Sequence, residues 1–176
     1  MYLVSIYFDE KTNNKIQAMI DRVAEKTGNH YMKEAHVPPH LTLSAFETRE
    51  EEAASAILAR VAGMLQGEHI QWVSVGQFLP QVLFITPVLN RYLHHMGETV
   101  FREFSQLNDV KFSPYYRPFS WQPHTTIAKK LKAEEMQCAF RVMQNQFEIL
   151  EGTVVKIGLA KPNPYREISS FDLLVK

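Results

Sequence analysis

Residues 123–128 read Pro-His-Thr-Thr-Ile-Ala and repeat residues 39–44, Pro-His-Leu-Thr-Leu-Ser, almost position for position. A β-strand directs residues i and i+2 to the same face, so the His and the Thr of each copy point together. The apolar neighbours, such as Leu41 and Leu43, point the other way into packing. Each copy therefore offers one imidazole beside one hydroxyl on a strand whose rear face is buried.

The two histidines of this repeat, His40 and His124, are 84 residues apart (124 − 40), about half of the chain. A repeat at this spacing is typical of a duplicated unit, although two unrelated strand histidines could also resemble each other by accident. Two such strands facing each other across a cleft form a symmetric site in which one imidazole takes a proton and the other gives one. Because histidine titrates near working pH, the pair predicts phosphoryl transfer without a metal.

The composition is that of an ordinary folded domain, with 176 residues, 45% apolar and 22% charged. Lys plus Arg equals Asp plus Glu at 19 each, so no global field attracts long nucleic acid. The lone Cys138 excludes an internal disulfide and suits a reducing cytoplasm. The apolar start of the chain reads as a first strand rather than a signal peptide, and no apolar run approaches a membrane span. We expect a cytoplasmic monomer.

Apolar periodicity predicts the same order of elements in both halves of the chain. The first half has strands at 2–8, 40–46 and 70–78 and helices at 11–27 and 54–65. The second has strands at 82–85, from 124 and at 154–159, helices at 93–107 and 136–147, and one extra strand at 171–175. Gly28 and Asn90 are predicted helix caps, residues 48–51 fit a capping box, and Gly76 is a candidate bulge. The motif strand is the second strand of each half.

The paired motifs, His40-Leu41-Thr42-Leu43 and His124-Thr125-Thr126-Ile127, resemble the hallmark of the two-histidine (2H) phosphoesterase superfamily. This group contains the RNA 2′,3′-cyclic phosphodiesterases, also called 2′-5′ RNA ligases. The resemblance implies a two-lobed, duplicated α+β fold, in which two antiparallel sheets line a central cleft and helices pack outside. A single domain at 1–176 is expected, with pseudo-symmetric halves at about 1–79 and 80–176.

The resemblance also implies roles for the motif residues. His40 and His124 are the expected catalytic acid–base pair, and Thr42 and Thr126 are expected to hold phosphate oxygens. RNA ends or cyclic nucleotides are the implied substrates, without a cofactor or metal. Many relatives place an arginine soon after the second motif, where this chain has Lys129 and Lys130; lysine supplies charge but no bidentate fork.

The segment 109–123 is rich in aromatic and basic residues and leads directly to His124. One interpretation is a lid that stacks a base and holds phosphates, with Tyr115 and Arg117 as candidate contacts beside Lys129. The alternative is a packed surface loop. Phe46, just beyond the first motif, is a candidate for stacking a base or for the core.

Two other functions stay open at this point. A protein of the same fold could bind RNA ends or nucleotides without turnover, although all four motif residues are present. A metal site formed by His36, His40 and His124 is less favoured, because the prolines at 38 and 39 exclude the helix that would align the first two. The neighbours His94 and His95 diverge by about 100° on a helix and are expected at the surface.

Overall fold

The structure, a computed structural model, describes residues 1–175. Within this range the strands are β1 (Tyr2–Phe8), β2 (His40–Glu47), β3 (His69–Phe78), β4 (Val82–Pro87), β5 (Lys111–Phe112), β6 (Thr125–Ala128), β7 (Leu150–Pro162) and β8 (Tyr165–Asp172). The helices are α1 (Glu10–Thr27), α2 (Tyr31–Glu34), α3 (Glu51–Met64), α4 (Arg91–Phe104) and α5 (Ala133–Gln146). The expected α+β class is confirmed.

Every strand pair in the sheet is antiparallel, and the order of strands is β5-β2-β1-β7-β3-β4-β6, with β8 also paired to β7. The long strand β7 belongs to both arms of this sheet. Its residues 150–153 pair with β3, and residues 154–160 pair with β1. The strands thus form one connected sheet rather than the two separate sheets expected from the resemblance.

Helices α1 and α4 each pack against elements from the other half of the sequence. α1, from the first half, packs against α5 and β6, and α4, from the second half, packs against α3 and β2. Apart from the short elements α2, β5 and the 3-10 turn after β5, the order strand, helix, strand, helix, strand runs once from β1 to β3 and again from β4 to β7. The two arms of the sheet therefore combine elements from both halves of the chain.

Local signals place most element ends where the sequence predicts them. Gly28 ends α1 with φ 73°, as predicted, and Asp9, a cap that was not predicted, accepts the backbone N–H of Thr12 at 2.9 Å. Asn90 caps α4 in the same way as Asp9 caps α1. Two expectations are wrong: no side chain caps α3 in the predicted box, and the last strand is β8, ending at Asp172 rather than spanning 171–175.

Phe46 lies in the hydrophobic core and is only 1% exposed. Its ring stacks on that of Tyr2 at 5.9 Å and contacts the rings of Phe104 and Phe112 at 4.9 and 5.9 Å. The expectation that Phe46 is a substrate contact is therefore wrong, because no face of the ring is free for a base. Among residues 1–175, no helix is long and apolar enough to cross a membrane.

Candidate active site

The two motif histidines adopt the same pose at the start of their strands. His40 Nδ1 lies 2.9 Å from the carbonyl oxygen of Pro38, and His124 Nδ1 lies 3.0 Å from that of Gln122. A carbonyl oxygen only accepts hydrogen bonds, so each Nδ1 carries the proton and donates it. This assigns Nε2 of both rings as the atom that can exchange a proton with a substrate.

A β-bulge follows the threonine of each motif. The ladder between β1 and β2 skips Leu43, and the ladder between β4 and β6 skips Ile127. Each skipped residue directly follows Thr42 or Thr126 in the sequence. Bulges bend a strand and re-aim its side chains next to sites, so both motifs receive the same local distortion, which the sequence alone did not predict.

Aromatic rings hold each imidazole from the neighbouring strands. The ring centroid of Tyr7 in β1 lies 6.3 Å from that of His40. Phe84 in β4 lies 5.3 Å from His124, and Phe78 at the end of β3 lies 4.9 Å away in a perpendicular arrangement. The aromatic neighbour of His40 thus carries a hydroxyl, whereas the two aromatic neighbours of His124 are apolar. The sequence analysis did not identify these three residues, because each fits the apolar pattern of its own strand as an ordinary core residue would.

Two of these rings lie directly over a glycine of the next strand. A Cβ at Gly76 would be 2.5 Å from the ring of Phe84, and a Cβ at Gly158 would be 2.9 Å from that of Tyr7. Real Cβ atoms do not approach other atoms this closely, so each ring keeps its place because the position beneath it is glycine. The sequence-based interpretation of Gly76 as a bulge is wrong: the β3–β4 ladder skips Val73 instead.

The two motif strands contact each other although four strands separate them in the sheet order. Trp121, just before the second motif, donates its indole N–H to the carbonyl oxygen of Thr42 at 3.0 Å. The sheet therefore folds back on itself and brings the two motifs together.

The pKa values of both histidines are lowered. Burial lowers the pKa of His40, and the positive charges of His124 and Lys129 lower it further, against the hydrogen bond to Pro38. Burial also lowers the pKa of His124, against its hydrogen bond to Gln122. Both imidazoles are thereby held toward the neutral form, and His124 is close enough for its charge to lower the pKa of His40.

A cavity of about 420 Å³ opens beside His40. Thr126 and Lys129 line it from the second motif, and the other walls come from β1, from α2 and the loop after it, and from the β7–β8 hairpin. Thr42 is 6% exposed, and its hydroxyl lies 3.3 Å from that of Ser5, which lines the cavity. The cavity is thus lined by residues from both halves of the chain.

Of the predicted site residues, His40, Thr126 and Lys129 line this cavity, and His124, Thr42, Phe46, Tyr115 and Arg117 do not. Tyr115 is 77% exposed in a 3-10 turn, Pro114–Tyr116. Arg117 lines a second cavity of about 540 Å³, which Trp121 also lines. Among residues 1–175, no three His, Cys, Asp or Glu side chains are grouped to hold a metal ion.

Comparison with known proteins defines the class of this chain. The sequence profile of the 2′-5′ RNA ligase superfamily matches residues 12–165. The chain therefore belongs to this superfamily of two-histidine phosphoesterases, which supports a phosphoesterase-type enzymatic function. No curated protein sequence matches the chain.

Solved structures share the fold over almost the whole chain. The crystal structure of a phosphoesterase is 17% identical with a TM-score of 0.58, over 98% of this chain and 97% of that one. The crystal structure of Escherichia coli LigT complexed with 3′-AMP is 18% identical with a TM-score of 0.59, over the same shares of both chains. LigT complexed with phosphate is 18% identical with a TM-score of 0.53, over 98% of this chain and 96% of that one.

Proposed function

We propose that this protein is a metal-independent phosphoesterase that opens the 2′,3′-cyclic phosphate at the end of an RNA or on a nucleotide. The observation that carries the proposal is the matched pose of His40 and His124, each with Nδ1 bonded to a carbonyl and Nε2 free. That LigT, a protein of the same fold, forms a complex with 3′-AMP agrees with a nucleotide substrate. Cys138, the one cysteine, is free, which suits a reducing cytoplasm, and we propose a monomer.

The cavity suggests which histidine is the acid. It lies beside His40 and has aromatic and aliphatic walls that suit a nucleoside, so the ribose of the substrate lies on the His40 side. His40 Nε2–H then protonates the departing ribose oxygen. His124 Nε2, on the far side of the phosphate, takes a proton from the attacking water.

The reaction breaks one bond and forms one. Water oxygen bonds to phosphorus as its proton passes to His124, and the bond from phosphorus to the ribose 3′ oxygen breaks as His40 gives up its proton. The product is a 2′-phosphate, and proton exchange with solvent restores both rings. With the 5′ hydroxyl of a second RNA in place of water, the same displacement forms the bond from its oxygen to phosphorus, breaks the bond from phosphorus to the ribose 3′ oxygen and joins the two ends through a 2′-5′ linkage.

The other motif residues stabilise the growing negative charge. The Thr126 hydroxyl lines the cavity and donates to a non-bridging phosphate oxygen, and the Thr42 hydroxyl, next to that of the cavity residue Ser5, offers a further donor. Lys129 adds a positive charge on the same side. Donors placed where charge develops act strongly, because they are already oriented when the reaction begins.

Turnover of a 2′,3′-cyclic nucleotide in the presence of EDTA tests the proposal. Both His40→Ala and His124→Ala should lower kcat/KM by at least about 10²-fold, since each removes one proton transfer. His95→Ala is the matched control, because His95 is exposed on α4 and lines neither cavity. Phosphorus NMR of the product distinguishes a 2′-phosphate from a 3′-phosphate.

Full turnover by either motif variant would refute the two-histidine mechanism. Binding of the nucleotide by the wild-type protein without turnover would instead identify a non-catalytic binding protein. Activity that appears only when a divalent metal is restored would point to metal-dependent chemistry.

A further inference from the structure

The second cavity, about 540 Å³ in volume, lies between α4 and the segment that leads to the second motif. Its walls combine aromatic and aliphatic side chains with cations, and the proposed reaction uses none of its lining residues. Pockets of this size and character are typical of small-molecule and nucleotide sites. The second cavity is therefore a candidate site for a further ligand.

An exposed aromatic ring stands at the rim of this cavity. Phe119 is 86% exposed and has φ 62°, a left-handed conformation that is a true outlier for a bulky residue. Its ring lies 4.9 Å from that of His94 on α4. The Phe119 ring thus lies largely in solvent at the rim, with a free face for stacking.

The charges around the cavity suit an anion. Arg91 and Arg117 both line it and are exposed, and neither is in a salt bridge within residues 1–175. The acidic side chain of this wall, Glu98, lies 3.5 Å from His94. Two arginines beside an aromatic ring form the combination that holds the phosphate and base of a single-stranded nucleic acid.

The second cavity is close to the proposed reaction site. His40 lines the first cavity and Leu43 lines the second, and three residues of a strand span about 10 Å. Trp121, which lines the second cavity, is hydrogen-bonded to Thr42 between them. An extended RNA strand can cross this distance within one or two nucleotides.

We propose that the second cavity binds a further nucleotide of the RNA strand that carries the cyclic phosphate, with its base on Phe119 and its phosphate on Arg91 and Arg117. This inference rests on the proposed function. It makes RNA ends, rather than cyclic mononucleotides, the preferred substrate of the enzyme.

The test compares tetra-adenylate ending in a 2′,3′-cyclic phosphate with 2′,3′-cyclic AMP. Wild-type protein should have the higher kcat/KM on the tetranucleotide, and the ratio of the two values should fall about tenfold in Phe119→Ala and in Arg117→Ala. Phe119→Tyr keeps the ring and should keep the ratio. Arg141→Ala is the matched control, since Arg141 is an exposed arginine on α5 outside both cavities.

The salt dependence of kcat/KM is a second test of the same site. Because phosphate contacts weaken as salt rises, kcat/KM for the tetranucleotide should fall more steeply with salt in the wild type than in Arg117→Ala. An equal kcat/KM for both substrates in the wild type, or an equal loss for both in the variants, would overturn the subsite while the proposed function stands.

If neither substrate is turned over, the proposed function fails and the subsite is judged by binding alone. Fluorescence anisotropy of labelled tetra-adenylate 3′-phosphate then decides. Weakening of its binding by about tenfold in Phe119→Ala supports the subsite, and unchanged binding overturns it.

Discussion

The imidazoles of His40 and His124 share one hydrogen-bonding pattern but have different neighbours. His40 faces a cavity with a tyrosine and Lys129, whereas His124 lies against two phenylalanines. A backbone carbonyl holds each ring in place, so neither depends on a carboxylate to fix its tautomer. A carboxylate partner would raise the pKa of the imidazole, and here burial lowers it instead.

This lowering predicts the pH dependence of the reaction. The base must be neutral, so kcat/KM rises with pH through one pKa, and the acid must be protonated, so kcat/KM falls through the other. Because both pKa values lie below the usual 6.5, both limbs and the optimum of kcat/KM should lie below pH 6.5. Initial rates from pH 4.5 to 8 measure this directly.

Lys129→Gln should move the same profile to higher pH, because it removes a positive charge that lowers the pKa of His40. Lys130→Gln is the control, since the Lys130 ammonium lies 4.3 Å above the ring of Tyr31 and does not lower either pKa. An optimum above pH 7 in the wild type, or an identical shift in both variants, would contradict this account.

The sequence predicted the histidine pair of the candidate site but not the aromatic residues around it. The pairing of His40 with His124 was visible because His-x-Thr recurs at half the chain length. Phe46 stayed open between the core and a substrate contact, because an aromatic residue after a motif has the same sequence pattern whether it faces the core or the cleft. Tyr7 and Phe84 were missed because they belong to other strands, and strand pairing brings them to the histidines.

At the level of elements, the strands next to each motif strand help to fix the position of its histidine. Next to His124, β6 pairs with β4 and β4 pairs with β3. The ring of Phe84 lies over Gly76 on one side and against His124 on the other. The position of the His124 imidazole, just before β6, thus depends on the absence of a side chain two strands away.

Gly76→Ala should therefore impair catalysis from a distance. The added Cβ would be 2.5 Å from the Phe84 ring, so the ring must move and His124 with it. We expect kcat/KM to fall by up to about 10²-fold, the cost of displacing a catalytic group by about 1 Å, and the free energy of unfolding to fall by about 1–3 kcal/mol through overpacking. Kinetics well below Tm and urea unfolding measure the two effects separately.

Gly63→Ala provides the matched control for this substitution. Gly63 lies in α3 with no atom within 4 Å of its added Cβ, and alanine favours a helix by roughly 1 kcal/mol over glycine. Its kcat/KM should stay at the wild-type value while its stability rises. Unchanged catalysis in Gly76→Ala would show that the Phe84 ring does not position His124.

Strand and helix order was predictable because apolar periodicity and caps are local signals. The range of β1 and the cap at Gly28 follow directly from the residues themselves. The short β5 and the paired bulges were not predictable, since both are defined by a partner strand far away in sequence. The length of β7 was underestimated for the same reason: it pairs with three different strands.

At the level of the whole molecule, the two halves of the chain are interleaved. The buried face of α1 includes Ile16, Ile20 and Val23, and this helix packs mainly against α5, β6 and β7 of the second half. Within the first half, its main partner is the four-residue helix α2. The repeat in the sequence therefore does not correspond to two units that are separate in space.

This interleaving predicts that neither half folds alone. A fragment spanning residues 1–79 would expose three large side chains of α1, each worth about 1.5–3 kcal/mol of burial, against a total stability of about 5–15 kcal/mol for a whole domain. Each fragment, 1–79 or 80–176, should therefore lack a cooperative urea transition by far-UV circular dichroism, whereas the full chain should show one.

Mixing the two fragments in equal amounts should restore part of the helical signal, because the contacts between α1 and α5 and between α4 and β2 form only when both are present. Phosphoesterase activity should return with it, since one histidine comes from each fragment. A cooperative transition in either fragment alone would mean that the contacts within that half suffice for folding, and the crossing of α1 and α4 would then be a consequence of assembly rather than a requirement for it.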